Sequence, residues 1–278
     1  MSSEPTDAGA QWSQAFAGSN VDGMRAYDAI NARLFTPFAH DLIDRLAPER
    51  GATALDVAAG PGTVAYPLAA RIGPAGRVIA TDVSPAMLDI ARAKPTSDDA
   101  AAIEWVEAPA VPLPLPDTCV DVVTCQQGLQ FFPDKTAALA EMRRTLHRGG
   151  RAGVAVWTQI DEQVYRHLHD AIASVVSAEL AQRYLGPFLL SGERAAEHAR
   201  DAGFDNVELT RVTLPAVLPG GAGELFDSLR AAGVAADIAA LDEAQRTELR
   251  AEVQRQAAPF VVGDTLRSSL TASVLVLS

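Results

Sequence analysis

Two acids and a pair of glycines carry the chemistry that is most open to reading. Ala54-Leu55-Asp56-Val57-Ala58-Ala59-Gly60-Pro61-Gly62-Thr63 has the form of a buried strand turning sharply into a helix. A second apolar run, Val78-Ile79-Ala80-Thr81-Asp82, follows about twenty residues after the turn and ends in an acid. A glycine turn after one strand, with an acid at the tip of the next, is how doubly wound α/β folds hold a nucleoside. Glycine lets the ligand lie against bare backbone, and the carboxylate accepts from both ribose hydroxyls. An ordinary strand-to-helix turn would explain the glycines alone, but it leaves the spaced acid without a purpose.

The elements that must position these residues alternate. Strands are predicted over Thr53–Val57, Arg77–Thr81, Ile103–Val106, Val120–Thr124 and Arg151–Trp157, with helices over Thr63–Arg71, Pro85–Ala93 and Lys135–Leu146. Ser84 before Pro85 is a helix start, and Gly149-Gly150 reads as a glycine stop. Strands alternating with helices of ten to fifteen residues imply a parallel sheet. Upstream, Met24, Tyr27, Ile30, Leu34, Phe35, Phe38, Leu42, Ile43 and Leu46 recur at helical spacing, with Pro37 starting a second helix. Downstream, residues 161–184 read as one long helix, a short helix follows near Gly192–Ala202, and strands are expected at Val207–Leu214 and Ser269–Leu277. The division expected is a tail with capping helices over 1–47 and one sheet domain over 48–278, with helical additions at about 161–200 and 220–262.

Composition narrows the function classes. The chain has 278 residues, 48% of them hydrophobic, and a net charge of −12, so one sizeable core is expected and phosphate-backbone tracking is disfavoured. There is no basic run, so nucleic acid and anionic membrane are poor partners. Cys119 and Cys125 have no metal-ligand spacing and read as small apolar residues; no metal is expected. No signal-like start or membrane-length apolar run is visible, so a soluble, cytoplasmic protein is expected.

These runs, joined by Ala80-Thr81-Asp82-Val83-Ser84-Pro85-Ala86-Met87-Leu88, Leu113-Pro114 to Val123, and Phe132-Pro133-Asp134 with Leu146 to Gly150, resemble the class I S-adenosylmethionine-dependent methyltransferases. Within the class, the chain is similar to the small-molecule branch that contains the ubiquinone and menaquinone biosynthesis enzymes. The resemblance covers about residues 50–158. It implies a Rossmann-like doubly wound seven-stranded sheet, six strands parallel and the last antiparallel, with a helical N-terminal cap and helical insertions.

Carried over by position, the resemblance places S-adenosyl-L-methionine at the carboxyl ends of the strands. Asp56 would lie near its amino acid end, and Ala58, Ala59, Gly60 and Gly62 beneath the sulfonium and ribose. Asp82 would accept the ribose hydroxyls, Val83 and Met87 would flank the adenine, and Ala110 would donate its N–H to the ring. Gln126 and Gln127 would face the methionine end and the transferring methyl, and Tyr27 would cap the cofactor. Two departures stand out. Ala58 replaces a family glycine, tolerable at negative φ, and Pro109 stands where the family has an aspartate for the adenine amino group, which predicts weaker adenine recognition.

The reaction expected is methyl transfer to an O, N or C nucleophile of a small, largely apolar acceptor. A homodimer is left open. No catalytic base is assigned: Tyr27, His40, His167 and His169 are candidates, each histidine reading first as a surface residue and Phe131-Phe132 as packing beneath the sheet end. Three alternatives stay open. They are hydride transfer with a nicotinamide cofactor, non-reactive use of the sulfonium as in a cyclase, and cofactor sensing without turnover.

Overall fold

The computed structural model describes residues 21–278; the polar tail expected over residues 1–20 lies outside them. Seven strands make the sheet: β1 (Thr53–Val57), β2 (Arg77–Asp82), β3 (Ala102–Glu107), β4 (Val120–Gln126), β5 (Leu146–Trp157), β6 (Val207–Leu218) and β7 (Thr265–Leu277). Their order is β3-β2-β1-β4-β5-β7-β6, and a two-residue strand, Val261–Val262, pairs with the start of β7. Neighbours from β3 to β5 are parallel, whereas β7 runs antiparallel to both β5 and β6. The order reverses between β1 and β4, so the crevice for a ligand opens at the carboxyl ends of these strands.

Helices cover both faces. On one side α1 (Val21–Leu46) and α2 (Ala65–Ile72) share a core with α5 (Arg166–Val175) and α6 (Ala178–Tyr184). On the other, α4 (Lys135–Thr145) and α7 (Gly192–Asp201) bury Leu139, Met142, Ala195 and Ala199 against Leu55, Val123 and Val154. α3 (Pro85–Arg92) packs Met87 and Ile90 on Met24 of α1. Its start is as read from sequence: the Ser84 hydroxyl accepts from the Met87 N–H at 3.4 Å, with Pro85 in the first turn. Towards the C-terminus, α8 (Gly221–Asp227), α9 (Ala235–Ala240) and α10 (Glu243–Ala257) extend the α1 side.

Three sequence expectations are corrected. Pro37 does not begin a second helix but lies inside the continuous α1. An interior proline costs about 3 kcal/mol, but the turn around it is held by packing, since Phe38 and Leu42 are fully buried and each is worth about 1.5–3 kcal/mol. The Phe35 and Phe38 rings stand edge-on to Trp157, at 5.0 and 5.4 Å between centroids. The segment expected as one helix over 161–184 is broken. Gln163 ties the chain to β7, donating to the Thr271 carbonyl at 2.7 Å and accepting from its N–H at 3.2 Å. Ser177 then turns extended and caps α6 through the Leu180 N–H.

Gly149-Gly150 is not a helix stop either, because α4 ends at Thr145 and the pair lies within β5. A Cβ on Gly150 would stand 2.8 Å from the Asp121 carbonyl oxygen, so glycine is required there by close strand approach. Both late strands are longer than read. β6 runs through Pro215, which an edge strand accepts because one side of it has no ladder to complete.

Candidate active site

Where β1 ends the chain leaves the sheet through three left-handed residues, Ala58 (φ 56°), Gly60 (φ 54°) and Gly62 (φ 86°). The negative φ expected at Ala58 is therefore corrected. The Ala58 side chain is carried at a cost of about 1–2 kcal/mol. The loop is held from β2: the Gly60 N–H donates to Asp82 Oδ2 at 2.7 Å, the Ser84 N–H to Asp82 Oδ1 at 2.8 Å, and the Ala59 N–H to the Thr81 carbonyl at 3.0 Å. Asp82 is 9% exposed; burial pushes its carboxyl up, and the donated N–H bonds pull it back.

Asp56 is deeper, at 1% exposure. Its Oδ1 accepts from the Thr124 hydroxyl at 2.8 Å, while Oδ2 is buried with no partner among the described residues. Burial raises this carboxyl to about 7, helped by the charge of Asp82 and opposed by the Thr124 hydroxyl and the backbone N–H of Ala65. Two buried acids side by side, one with an orphaned oxygen, make a site that a cation would complete.

Ten of the twelve residues expected at the site line one cleft of about 780 Å³: Tyr27, Asp56, Ala58, Ala59, Gly60, Asp82, Val83, Met87, Gln126 and Gln127. Ala110 lies instead in an adjoining cleft that shares Ala58, Asp82, Val83 and Phe132 and also holds Pro109. Gly62 lines neither. A Cβ there would meet the rings of Tyr66 and Trp105 at 2.7–2.8 Å, so Gly62 shapes the loop from behind.

The glutamines divide. Gln126 Nε2 donates to the Phe35 carbonyl of α1 at 3.1 Å, fastening the cap helix to β4. Gln127 is left-handed (φ 52°) and buried, and neither atom of its carboxamide has a partner among the described residues.

Sequence reading missed Phe35, Thr63, Val64 and Gly128 on the cleft wall. Phe131 and Phe132, expected beneath the sheet end, line it too. The available signal was position, since all but Phe35 follow directly from the carboxyl ends of β1 and β4. Of the four base candidates only Tyr27 reaches the cleft, and burial together with Asp82 and Asp28 holds its hydroxyl well above the usual tyrosine range, so it stays protonated. His40, His167 and His169 line neither cleft. Among the described residues no cluster could hold a metal ion, and no helix is long and apolar enough to cross a membrane.

Comparison with known proteins agrees with this geometry. The model of the ubiE/COQ5 methyltransferase family matches residues 21–182. A ubiquinone/menaquinone biosynthesis C-methyltransferase of Francisella philomiragia is 31% identical over 184 residues, covering 62% of this chain and 74% of that protein. Solved structures share the fold. A Haemonchus contortus phosphoethanolamine N-methyltransferase, solved with S-adenosylhomocysteine, has a TM-score of 0.57 at 16% identity over 92% of this chain and 57% of that one. The [4+2]-cyclase SpnF has a TM-score of 0.52 at 22% identity over 85% and 80%. As the fold is shared with a cyclase, it does not fix the reaction, and the sequence relatives decide. The chain belongs to the ubiE/COQ5 methyltransferase family and is an S-adenosylmethionine-dependent methyltransferase of small molecules.

Proposed function

We propose that the cleft binds S-adenosylmethionine with its cationic end at Asp56 and its ribose at Asp82, and that the acceptor is an uncharged, electron-rich ring methylated at carbon. The observation that carries this reading is Oδ2 of Asp56, a buried carboxyl oxygen without a side-chain partner, in a cleft whose remaining lining is mostly apolar and where a cation would favour the ionised form. Bound S-adenosylmethionine supplies a methyl already activated by its sulfonium.

The residues of the chain then have three tasks. Asp56 neutralises positive charge that the cleft would otherwise desolvate. Asp82 keeps the glycine loop in its left-handed path and offers its remaining lone pairs to the ribose hydroxyls, while Val83 and Met87 flank the adenine and Ala110 donates its N–H at the ring edge. Tyr27 and Phe35 on α1 close the cleft, which aligns the reactants and excludes water. Alignment of this kind is worth up to roughly 7–11 kcal/mol.

The absence of a usable base among the described residues around the acceptor favours carbon. Tyr165 and Tyr184, like Tyr27, are fully buried and held protonated, so no side chain there would strip a hydroxyl. A ring carbon activated by its own substituents needs no deprotonation before it attacks the methyl, and the ring proton displaced by the new carbon–carbon bond leaves afterwards to solvent; the Francisella relative's name records C-methylation. The same reading treats residues 1–47 as tail and cap, and 48–278 as the methyltransferase domain with helical additions at about 161–200 and 220–262. It keeps the protein cytoplasmic and away from nucleic acid, in line with its charge of −12, and assigns any homodimer to the exposed Phe260 and Val262 beside β7.

Calorimetric titration of S-adenosylmethionine and, separately, NADH into the wild type and Asp82→Ala tests the reading. Micromolar binding of the sulfonium compound, lost in the variant and absent for NADH, is expected. Equal binding of NADH would overturn it.

A further inference from the structure

The glycine turn is gripped from behind as well as from β2. Lys94, two residues past α3, donates from Nζ to the Pro61 carbonyl at 2.9 Å and pairs with the Asp28 carboxylate of α1 at 2.8 Å. Pro61 stands between the left-handed Gly60 and Gly62, and Asp28 follows Tyr27, which lines the cofactor cleft. One ammonium therefore bridges the turn beneath the cofactor and the helix that covers it, over 33 and 66 positions of sequence.

The backbone of Lys94 is fixed independently of its side chain. Its N–H donates to the Ala91 carbonyl at 2.9 Å, and the Tyr66 hydroxyl donates to that same carbonyl at 2.5 Å, with the Lys94 carbonyl 3.4 Å away. The Lys94 side chain is 30% exposed and that of Asp28 17%, so the pair is less screened than one on the open surface. The rest of α1 is anchored further along, where Leu34, Phe38 and Leu42 are buried. Nearer its start, Met24 rests on Met87 and Ile90, and Asp28 on Lys94. A helix end held by so few contacts belongs to the part of a fold that opens most easily.

The residue type is selective too. Only two of the 23 Lys and Arg residues in the chain are lysines, Lys94 and Lys135. Lys135 likewise reaches a loop carbonyl, that of Phe132, at 3.1 Å. A compact ammonium can aim separate N–H groups at a carboxylate and at a carbonyl of another element, whereas the planar guanidinium fork suits a single carboxylate.

We propose that Lys94 is a positioning residue for methyl transfer, coupling closure of α1 over the cofactor to the left-handed path of the glycine turn. The cap is tied down only over a turn that presents the Pro61 carbonyl to Lys94, and bound ligand leaves when Asp28 parts from the ammonium. Loss of the ammonium frees both ends at once: α1 loses its tie, and the turn loses a charged donor. The proposal rests on the cofactor reading above.

The test measures binding and release of S-adenosylhomocysteine by stopped flow in the wild type, Lys94→Met, Asp28→Asn and the double variant. Each single variant is expected to release the ligand about tenfold faster, with the association rate within about threefold of wild type. The double variant should add less than about twofold to either single one, because both remove one interaction. A second readout labels lysine amines with sulfosuccinimidyl acetate, with an added lysine peptide as the internal standard. Saturating S-adenosylhomocysteine should slow acetylation of Lys94 by about fivefold in the wild type and leave it unchanged in Asp28→Asn. A pair that merely holds the fold would be masked equally with and without ligand and would lower Tm without changing release. That result overturns the proposal, as do release rates that multiply in the double variant. Failure of S-adenosylhomocysteine to bind the wild type overturns the cofactor reading and the latch with it, whereas failure of the latch alone leaves wild-type binding intact.

Discussion

The Gly60 N–H donates to Asp82 Oδ2 across 2.7 Å, so the glycine turn after β1 and the acid at the tip of β2 are bonded directly to each other. One carboxylate therefore fixes the loop and keeps lone pairs for a ligand. Asp82→Ala should weaken S-adenosylmethionine binding by about 3 kcal/mol, roughly 150-fold, because bonds to a charged acceptor are lost and two loop N–H groups are left unpaired. Asp82→Asn, which keeps one carbonyl acceptor, should fall between. Calorimetry on the two variants checks the order; equal affinities would show that the charge and the loop bonds are irrelevant to binding.

The raised carboxyl of Asp56 makes both binding and stability depend on pH. Near pH 7 and below, the folded protein holds a proton on Asp56 that the unfolded chain, at the ordinary aspartate value of 3.8, has released. Stability is therefore lost as pH rises from about 4 through 7, by up to about 1.4 kcal/mol per pH unit, and Asp56→Asn should remove this slope. A cationic ligand has the opposite preference, since it pairs with the ionised form. Affinity for S-adenosylmethionine should rise between pH 5.5 and about 7 by up to about tenfold per unit, before a cofactor α-amino group begins to deprotonate near 8. Calorimetry in buffers of different ionisation enthalpy should show proton release on binding in the wild type and none in Asp56→Asn.

Ala58 and Gly128 form a coupled pair across the cleft mouth. A Cβ on Gly128 would stand 2.7 Å from the Ala58 Cβ and 3.0 Å from Cys125 Sγ. Gly128→Ala should cost about 1–3 kcal/mol through overpacking. Ala58→Gly should gain about 0.5–1 kcal/mol, the relief of left-handed strain less the added freedom of the unfolded chain. The double variant should recover about 1 kcal/mol of the loss, the remainder lying with Cys125. Denaturant unfolding of all four proteins measures the cycle, and strict additivity would refute the contact.

Much of this site could be read from sequence because it is built from local signals. The left-handed turn at Gly60, the acid ending β2 and the Ser84-Pro85 helix start each need particular residue types at fixed spacing, and all three stand where the pattern placed them. What stayed hidden depends on long-range packing. Pro37 has a local preference for a helix start that burial of Phe38 and Leu42 overrides. The break after Val175 follows from Ser177 and from the bonds of Gln163 to Thr271, more than a hundred residues away. The bond from Tyr165 to Asn31 spans 134 positions, a distance over which no local pattern carries information.

Pro109 gives the last prediction. It sits with Val83, Ala110 and Phe132 in the cleft that adjoins the cofactor cleft, where related enzymes place an acid for the adenine amino group. Proline has neither an acceptor on its side chain nor an N–H to donate. Pro109→Asp should add one charge-assisted bond of about 1.5–3 kcal/mol. Part of it is offset by desolvation and by Asp134, which lines the same cleft and already accepts from the Ala137 N–H at 2.8 Å. A net gain of about 1 kcal/mol, or roughly fivefold tighter S-adenosylmethionine, is expected. S-inosylhomocysteine, whose ring carries a carbonyl in place of the amino group, should gain nothing and should be repelled. Equal improvement for both compounds would mean that the new acid acts on the sulfonium or through general electrostatics, and that the adenine edge does not lie at Pro109.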